Sequence, residues 1–273
     1  MTSEVLPARS HDALFMHYGF ADACGLVPPG GGGAMRGADS PSANLLDGLT
    51  RDGLRVDEAV LESHRPTHLS DLHAEFDAES FCRELARRVG QGRLTLGPEF
   101  AAFERLWRRD ELDHAVGFAK VYAVLYREDE RAVLDRLRCR AADFTGLDAF
   151  LGDEFSVCLV LAYDELATTR SYAADWHDFY PRFGDERLTR WVRRVAADEA
   201  RHYGNLLRVL RSAHARDLGR APALLEAICC RDLEHSPYRG TFVLDHDDAA
   251  TFPAERLREC ARRVARDLAL KPP

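Results

Sequence analysis

The chain has 273 residues, of which 46% are hydrophobic and 30% charged, the balance of a globular protein with a sizeable core. Its formal net charge of −8 argues against nucleic acid as a main partner. The longest mostly apolar run, from Phe155 to Tyr163, is too short to cross a bilayer, so no membrane span is expected.

Cysteine usage and the start of the chain indicate the compartment. The sequence contains seven cysteines, an odd number, and no Cys-x-x-Cys pair, which favours reduced thiols over a disulfide framework. The N-terminus carries Glu4 and lacks the apolar core of an export signal. We therefore expect a cytoplasmic protein.

Residues 1–66 are predicted to form an irregular N-terminal segment. They contain Pro28-Pro29 and the run Gly30–Gly33, which is typical of a flexible linker. A phosphate-binding loop is a weaker alternative, because no Gly-Lys-Ser or Gly-Lys-Thr follows the glycines. A short helix over Ser10–Cys24 is the one regular element that we predict in this segment.

From Leu69 onward, apolar residues recur with helical spacing, and glycine or proline residues separate the helical stretches. The pattern predicts an all-α protein with a helical bundle over residues 67–217 and a C-terminal helical extension, residues 218–273, packed on it. An extended piece is predicted at Gly240–Leu244. The predicted helices are Leu69–Val89, Pro98–Tyr126, Glu130–Ala142, Asp153–Tyr180, Asp185–Asp217, Ala221–Asp232 and Ala254–Leu268.

Two of these helices carry a Glu-x-x-His pair inside an otherwise apolar face. Residues three and four apart share one side of a helix. Glu111 and His114 occupy the middle of the face formed by Phe103, Trp107, Phe118, Val121 and Leu125. Glu199 and His202 interrupt a second apolar face in the same way, between Leu188, Val192, Val195, Leu206 and Val209.

Two further helices each place one glutamate in an apolar face. Glu165 lies between Leu161 and Thr168, and Glu79 lies between Phe76 and Cys82. Glu75, one turn before Glu79, is the alternative choice from that helix. Four carboxylates and two imidazoles are thereby predicted to meet in one core.

Such a core needs counter-charge, because each buried unpaired charge costs several kcal/mol. One glutamate from each of two helices plus a Glu-x-x-His from each of two others is the di-metal arrangement of bundle proteins. Its mixed oxygen and nitrogen donors suit iron or manganese. A single Glu-x-x-His arises easily by chance, but two centred in apolar faces are specific. The alternative is a metal-free bundle whose polar residues are solvated or salt-bridged.

Three segments resemble the soluble acyl-carrier-protein desaturases of the ferritin-like superfamily, over about residues 70–210. They are Trp107-Arg108-Arg109-Asp110-Glu111-Leu112-Asp113-His114, Glu165-Leu166-Ala167-Thr168 and Ala196-Ala197-Asp198-Glu199-Ala200-Arg201-His202. The resemblance implies a ferritin-like four-helix bundle with extra helices and two iron ions, with manganese as the alternative metal. The implied ligands are Glu79, Glu111, His114, Glu165, Glu199 and His202.

The resemblance also implies roles for residues around the metals. Thr168 would lie over the metals near bound O2. Asp198 would hold the far nitrogen of His114, and Arg201 would pair with Asp198, while Trp107 stands behind the ligands. The aromatic residues Phe103, Trp107 and Phe118 would flank an apolar substrate channel. A threonine that bonds its own helix backbone is the alternative interpretation of Thr168.

The function implied is O2-dependent oxidation of a C–H bond, most simply the desaturation of an acyl chain on acyl carrier protein or a similar thioester. An external electron donor such as ferredoxin would reduce the metals, and a homodimer is expected. Arginines at 87, 88, 105, 108, 109, 136, 138 and 140 offer a landing surface for an acidic carrier. The alternatives are a di-iron hydroxylase or N-oxygenase of a specialised metabolite and, in a different class, a ferritin-like iron-storage or ferroxidase protein.

Overall fold

The structure is a computed structural model that describes residues 41–234, 244 and 253–269. No strand occurs within these ranges, and the predicted all-α class is confirmed. The predicted helix over Ser10–Cys24 and residues 240–243 of the predicted extended piece lie outside the described residues. The α-helices are α1 (Glu58–Gly90), α2 (Pro98–Tyr126), α3 (Glu130–Arg138), α4 (Glu154–Ala174), α5 (Glu186–Ala213), α6 (Ala221–Leu233) and α7 (Ala254–Ala269).

Helix α1 begins earlier than predicted, at Glu58 inside the segment expected to be irregular. The Asp57 side chain caps it by accepting hydrogen bonds from the backbone N–H groups of Ala59 and Val60. Pro66 lies within the helix, where it removes one backbone hydrogen bond. The helix continues through it because Leu61 and His68 are buried on either side. The predicted irregular segment therefore ends eight residues too late.

The helix carrying Glu165 ends earlier than predicted. Helix α4 stops at Ala174, and the chain continues through one π-helical turn, Asp175–Phe179, and a 3-10 turn, Tyr180–Phe183. Gly184 then adopts a left-handed conformation with φ of 71°, and Asp185 caps α5. Helix α2 has the predicted bounds, while α3 ends at Arg138 and not at Ala142.

Helices α1, α2, α4 and α5 form the bundle, in which α4 packs most extensively on α5 and α1 on α2. Helices α6 and α7 pack on each other and on α4. A short 3-10 turn, Ser42–Leu46, packs against α2 and α5. Among the described residues, no helix combines the length and apolarity that a membrane crossing requires.

The apolar core divides into two clusters along the bundle. One includes Phe103 and Trp107 together with side chains of α6 and α7. The other includes Phe118, Tyr172 and Trp191. The buried polar residues of α2 lie between Trp107 and Phe118, so a polar layer separates the two apolar clusters.

Candidate metal centre

Six buried side chains from four helices converge in this polar layer. They form two overlapping sets whose ligand atoms lie within 4.8 Å of one another. Glu111 and Glu199 belong to both sets, so the geometry defines two adjoining positions that share two carboxylates. The first set is Glu75, Glu111, His114 and Glu199, and the second is Glu111, Glu165, Glu199 and His202.

Both imidazoles point the same ring nitrogen at the carboxylates. His114 Nδ1 lies 2.9 Å from Glu199 Oε1 and 3.3 Å from Glu75 Oε2. His202 Nδ1 lies 3.1 Å from Glu111 Oε1 and 3.2 Å from Glu165 Oε2. Each position therefore combines one imidazole nitrogen, one carboxylate of its own and the two shared carboxylates.

The contribution of α1 corrects the prediction of Glu79. Glu75 is only 4% exposed and joins the cluster, whereas the Glu79 side chain is 36% exposed and accepts two hydrogen bonds from Arg108. The predicted face of this helix was one residue out of register. The buried face runs through Leu72, Glu75, Ala78, Cys82 and Leu85.

Several ligand atoms lack a hydrogen-bond partner in the described part of the chain, namely Glu75 Oε2, Glu111 Oε1, His114 Nδ1 and Glu199 Oε1. The contact of 2.9 Å between His114 Nδ1 and Glu199 Oε1 is close but not aligned as a hydrogen bond. Buried polar atoms are normally satisfied, and leaving them unpaired costs about 1–3 kcal/mol each. Divalent cations between these atoms would satisfy all four, so the residues fit a metal centre.

Electrostatics in the metal-free cluster favour bound protons. Burial raises the pKa of Glu111 well above its usual value, and repulsion from Glu199 and Glu75 adds to the shift. Burial and repulsion from Glu199 do the same to the pKa of Glu165. Burial opposes a charged His114, but Glu75 and the contacts to Asp198 and Glu199 raise its pKa overall. A cation binding here must displace these protons.

Two aspartates hold the far side of the imidazoles in a crossed arrangement. His114 Nε2 lies 3.5 Å from Asp198 Oδ2, and His202 Nε2 lies 3.4 Å from Asp110 Oδ2. Each aspartate precedes the glutamate of its own motif and reaches the histidine on the other helix. Such contacts fix ring orientation and make the imidazole a better ligand.

Arg201 joins the two aspartates. Its Nη1 lies 2.6 Å from Asp198 Oδ1 and its Nη2 lies 3.2 Å from Asp110 Oδ2. The predicted contacts of Asp198 with His114 and Arg201 are thus present. The matching role of Asp110 was not predicted, although the sequence contains the signal: Asp-Glu-x-x-His occurs twice, at 110–114 and 198–202.

Each unshared carboxylate accepts a hydrogen bond from a different aromatic side chain. Trp107 Nε1 donates to Glu165 Oε1 at 2.6 Å, in keeping with the predicted place of Trp107 behind the ligands. The Tyr172 hydroxyl donates to Glu75 Oε1 at 2.5 Å. No role for Tyr172 was predicted, although it lies seven residues after Glu165 on the same helix face.

The residues predicted to surround the substrate are placed as follows. Thr168 is half-buried one turn after Glu165, whereas the next residue, Thr169, is buried and donates its hydroxyl to the Glu165 carbonyl at 2.6 Å. The role of Thr168 near O2 stays a prediction. Phe103 stacks on Trp107 in one core cluster, and Phe118 lies in the other, so these three side chains flank the polar layer from opposite sides.

Most arginines of the predicted carrier-landing surface are paired within the chain. Arg87 and Arg88 both contact Glu84, and Arg108 contacts Glu79. The three arginines near α3 contact Glu128, Asp135 and Asp77, at Arg136, Arg138 and Arg140 respectively. Their charges are locally balanced, which weakens the case for this surface as a landing site.

Comparison with known proteins identified no relative: no family model, no curated protein and no solved structure matches the chain. The chemistry of the site therefore has to be inferred from its own residues.

Proposed function

We propose that the protein binds two iron ions in this centre and uses O2 to oxidise a C–H bond of an organic substrate. The observation that carries the proposal is the pair of overlapping ligand sets that share Glu111 and Glu199. Four carboxylates balance two divalent cations when both imidazoles are neutral. Oxygen and nitrogen donors without a thiolate favour iron, with manganese as the alternative metal.

Iron bound here would supply the O2-dependent redox chemistry that side chains alone lack. The protein's own residues would do the rest. Glu75 with His114 and Glu165 with His202 would bind one ion each, while the shared glutamates keep the ions adjacent. Asp110, Asp198 and Arg201 would keep both imidazoles neutral at Nδ1 and oriented toward the metals. The apolar clusters on both sides would exclude water from the reacting group.

For the substrate, we propose an acyl chain carried as a thioester, with an external electron donor such as ferredoxin. The support is the resemblance of the three motif segments to carrier-protein desaturases, together with the apolar surroundings of the site. Such surroundings suit a hydrocarbon chain better than a polar metabolite. A homodimer and desaturation in preference to hydroxylation are further predictions from the same resemblance.

The test begins with metal stoichiometry. Purified full-length protein is reconstituted anaerobically with Fe(II), and bound iron is counted for the wild type, a Glu199→Ala, His202→Ala variant and a Glu79→Ala control. The proposal predicts about two irons in the wild type and in the control, and a large loss in the double variant. Absence of stoichiometric iron from folded wild-type protein would overturn it.

The second stage addresses the reaction. Iron-loaded protein receives O2, a reductant and carrier-linked acyl chains, and the products are analysed by mass spectrometry. Loss of two hydrogens indicates desaturation and gain of one oxygen indicates hydroxylation. Continued uptake of iron far beyond two per chain, with no organic product, would instead establish the iron-storage alternative.

A further inference from the structure

The two unshared carboxylates of the centre have different neighbours. Glu75 Oε2 faces His114 Nδ1, while its Oε1 accepts the hydrogen bond from Tyr172. Tyr172 is 2% exposed, so this phenol–carboxylate contact is shielded from water. A phenol whose O–H already points at a carboxylate can lose an electron and a proton together, because the acceptor of the proton is in place.

Aromatic rings continue outward from Tyr172. The Tyr172 ring centroid lies 5.3 Å from that of Phe118, Phe118 lies 4.8 Å from Trp191, and Trp191 lies 6.0 Å from Tyr180. Trp191 and Tyr180 are almost completely buried, at 0% and 1% exposure. Neither Trp191 Nε1 nor the Tyr180 hydroxyl has a hydrogen-bond partner among the described residues.

The position of Trp191 depends on a glycine in α2. A Cβ added at Gly117 would lie only 2.5 Å from Trp191 Nε1. The absence of a side chain there lets the indole pack against the α2 backbone, one residue from Phe118. The contact between Phe118 and Trp191 is thus built into the packing of α2 on α5.

The rings beside the other unshared carboxylate differ in chemistry. Trp107, which bonds Glu165, contacts Phe81 at 6.3 Å and Phe103 at 6.0 Å. Those rings in turn contact Phe144 and Phe100. Phenylalanine is much harder to oxidise than tyrosine or tryptophan, so this series ends at Trp107, whereas the series from Tyr172 contains two further oxidisable rings.

We propose that Tyr172 is a redox-active residue that removes oxidising equivalents from the metal centre when no substrate is bound, and that Trp191 and Tyr180 carry them outward. The Tyr172 O–H bond breaks, its electron reduces the O2-oxidised metal centre by one unit, and its proton moves to Glu75 Oε1. A neutral tyrosyl radical remains. An electron from Trp191, passed across Phe118, and return of the proton from Glu75 then restore Tyr172. This inference rests on the proposed function.

The experiment detects the radical directly. Fe(II)-loaded full-length protein is mixed with O2 without organic substrate, frozen at successive times and examined by electron paramagnetic resonance. Ring-deuterated tyrosine in the wild type is expected to narrow the radical signal, which identifies tyrosine as its source. Tyr172→Phe is expected to lose the signal. The matched control Trp107→Phe, which removes the hydrogen bond to the other unshared carboxylate, is expected to retain it.

A further variant tests the outward path. Trp191→Phe keeps Tyr172 in place but removes the next oxidisable ring, so the Tyr172 radical is expected to persist several-fold longer than in the wild type. Circular dichroism and iron counts on every variant separate loss of fold or metal from loss of the radical.

Two results would overturn this inference while leaving the proposed function intact: stoichiometric iron in the wild type without a tyrosyl radical, or an undiminished radical in folded, iron-loaded Tyr172→Phe. An unchanged radical lifetime in Trp191→Phe would overturn the outward path. Failure of the wild type to bind iron would overturn the proposed function and this inference together.

Discussion

The two halves of the centre have the same ligand plan but different aromatic neighbours. Each half has one glutamate and one histidine of its own, and Glu111 and Glu199 are common to both. Each histidine is held by an aspartate from the opposite motif, and Arg201 contacts both aspartates. The halves differ at the unshared carboxylate, where Tyr172 bonds Glu75 and Trp107 bonds Glu165. Metal binding is therefore expected to be nearly symmetric, and redox behaviour asymmetric.

The largest expected effect comes from removing a shared ligand. Glu199→Ala takes a carboxylate from both positions and is expected to reduce bound iron from about two per chain to near zero. Glu165→Ala takes a carboxylate from one position only and is expected to leave about one iron, at the His114 half. Iron analysis after gel filtration checks this, with Glu79→Ala as the surface control. Equal losses in the Glu199 and Glu165 variants would contradict the sharing.

Next in size is the dependence of metal binding on pH. Because the folded, metal-free protein has raised pKa values at Glu111, Glu165, His114 and His202, it holds more protons than the unfolded chain. Their contribution to its stability is complete below the unfolded pKa values, near 4.5 and 6.5, and is lost as pH rises through the folded values. Cation binding displaces the same protons and should strengthen over that rise.

The stabilisation that metal adds is accordingly expected to grow as pH increases from about 5.5 to 8. Melting temperatures of metal-loaded and metal-free protein, measured across that range, give the difference. Calorimetry in buffers of different ionisation enthalpy counts the protons released. A metal-induced shift that shrinks with rising pH would show that the ligands are already deprotonated in the metal-free protein.

A smaller effect is expected from the residues behind the imidazoles. Asp110→Asn and Asp198→Asn should each weaken metal affinity about 10- to 100-fold, the first at the His202 half and the second at the His114 half. Arg201→Gln should weaken both halves. Metal titrations that resolve two binding steps can assign the loss to one half. Equal weakening of both steps by each aspartate variant would show that the halves are not separately supported.

The smallest effect is expected where the halves differ. Tyr172→Phe and Trp107→Phe each remove one hydrogen bond to a carboxylate, which costs about 1–3 kcal/mol of stability at most. Both variants should still bind about two irons. They should differ only in the radical formed with O2, so thermal melts and iron counts that match, alongside unlike resonance spectra, are the expected result.

The ligands in Glu-x-x-His pairs were predictable because a polar pair inside an apolar helix face is a strong local signal. Glu111, His114, Glu199 and His202 all lie in the cluster, as does Glu165. The α1 ligand was harder to predict, because Glu75 and Glu79 are one turn apart and the burial that distinguishes them depends on how α1 packs against α2. The start of α1 at Glu58 was missed because Pro66 resembles a helix boundary.

The roles of Asp110 and Tyr172 could not be predicted from local pattern in the same way. Asp110 reaches a histidine 92 residues away, and Tyr172 reaches a glutamate 97 residues away. Such contacts depend on the relative depth of packed helices, which the periodicity of a single helix does not specify. The repeated Asp-Glu-x-x-His was visible in the sequence, but its crossed geometry requires the assembled bundle.

The central claim is that two metal ions lie side by side and share Glu111 and Glu199. A crystal structure of the iron- or manganese-loaded protein, with anomalous scattering collected at the metal edge, tests it most directly. We predict two anomalous peaks, one bound by Glu75 and His114 and the other by Glu165 and His202, with both shared carboxylates in contact with each. A single peak, or metal bound away from these six side chains, would contradict it.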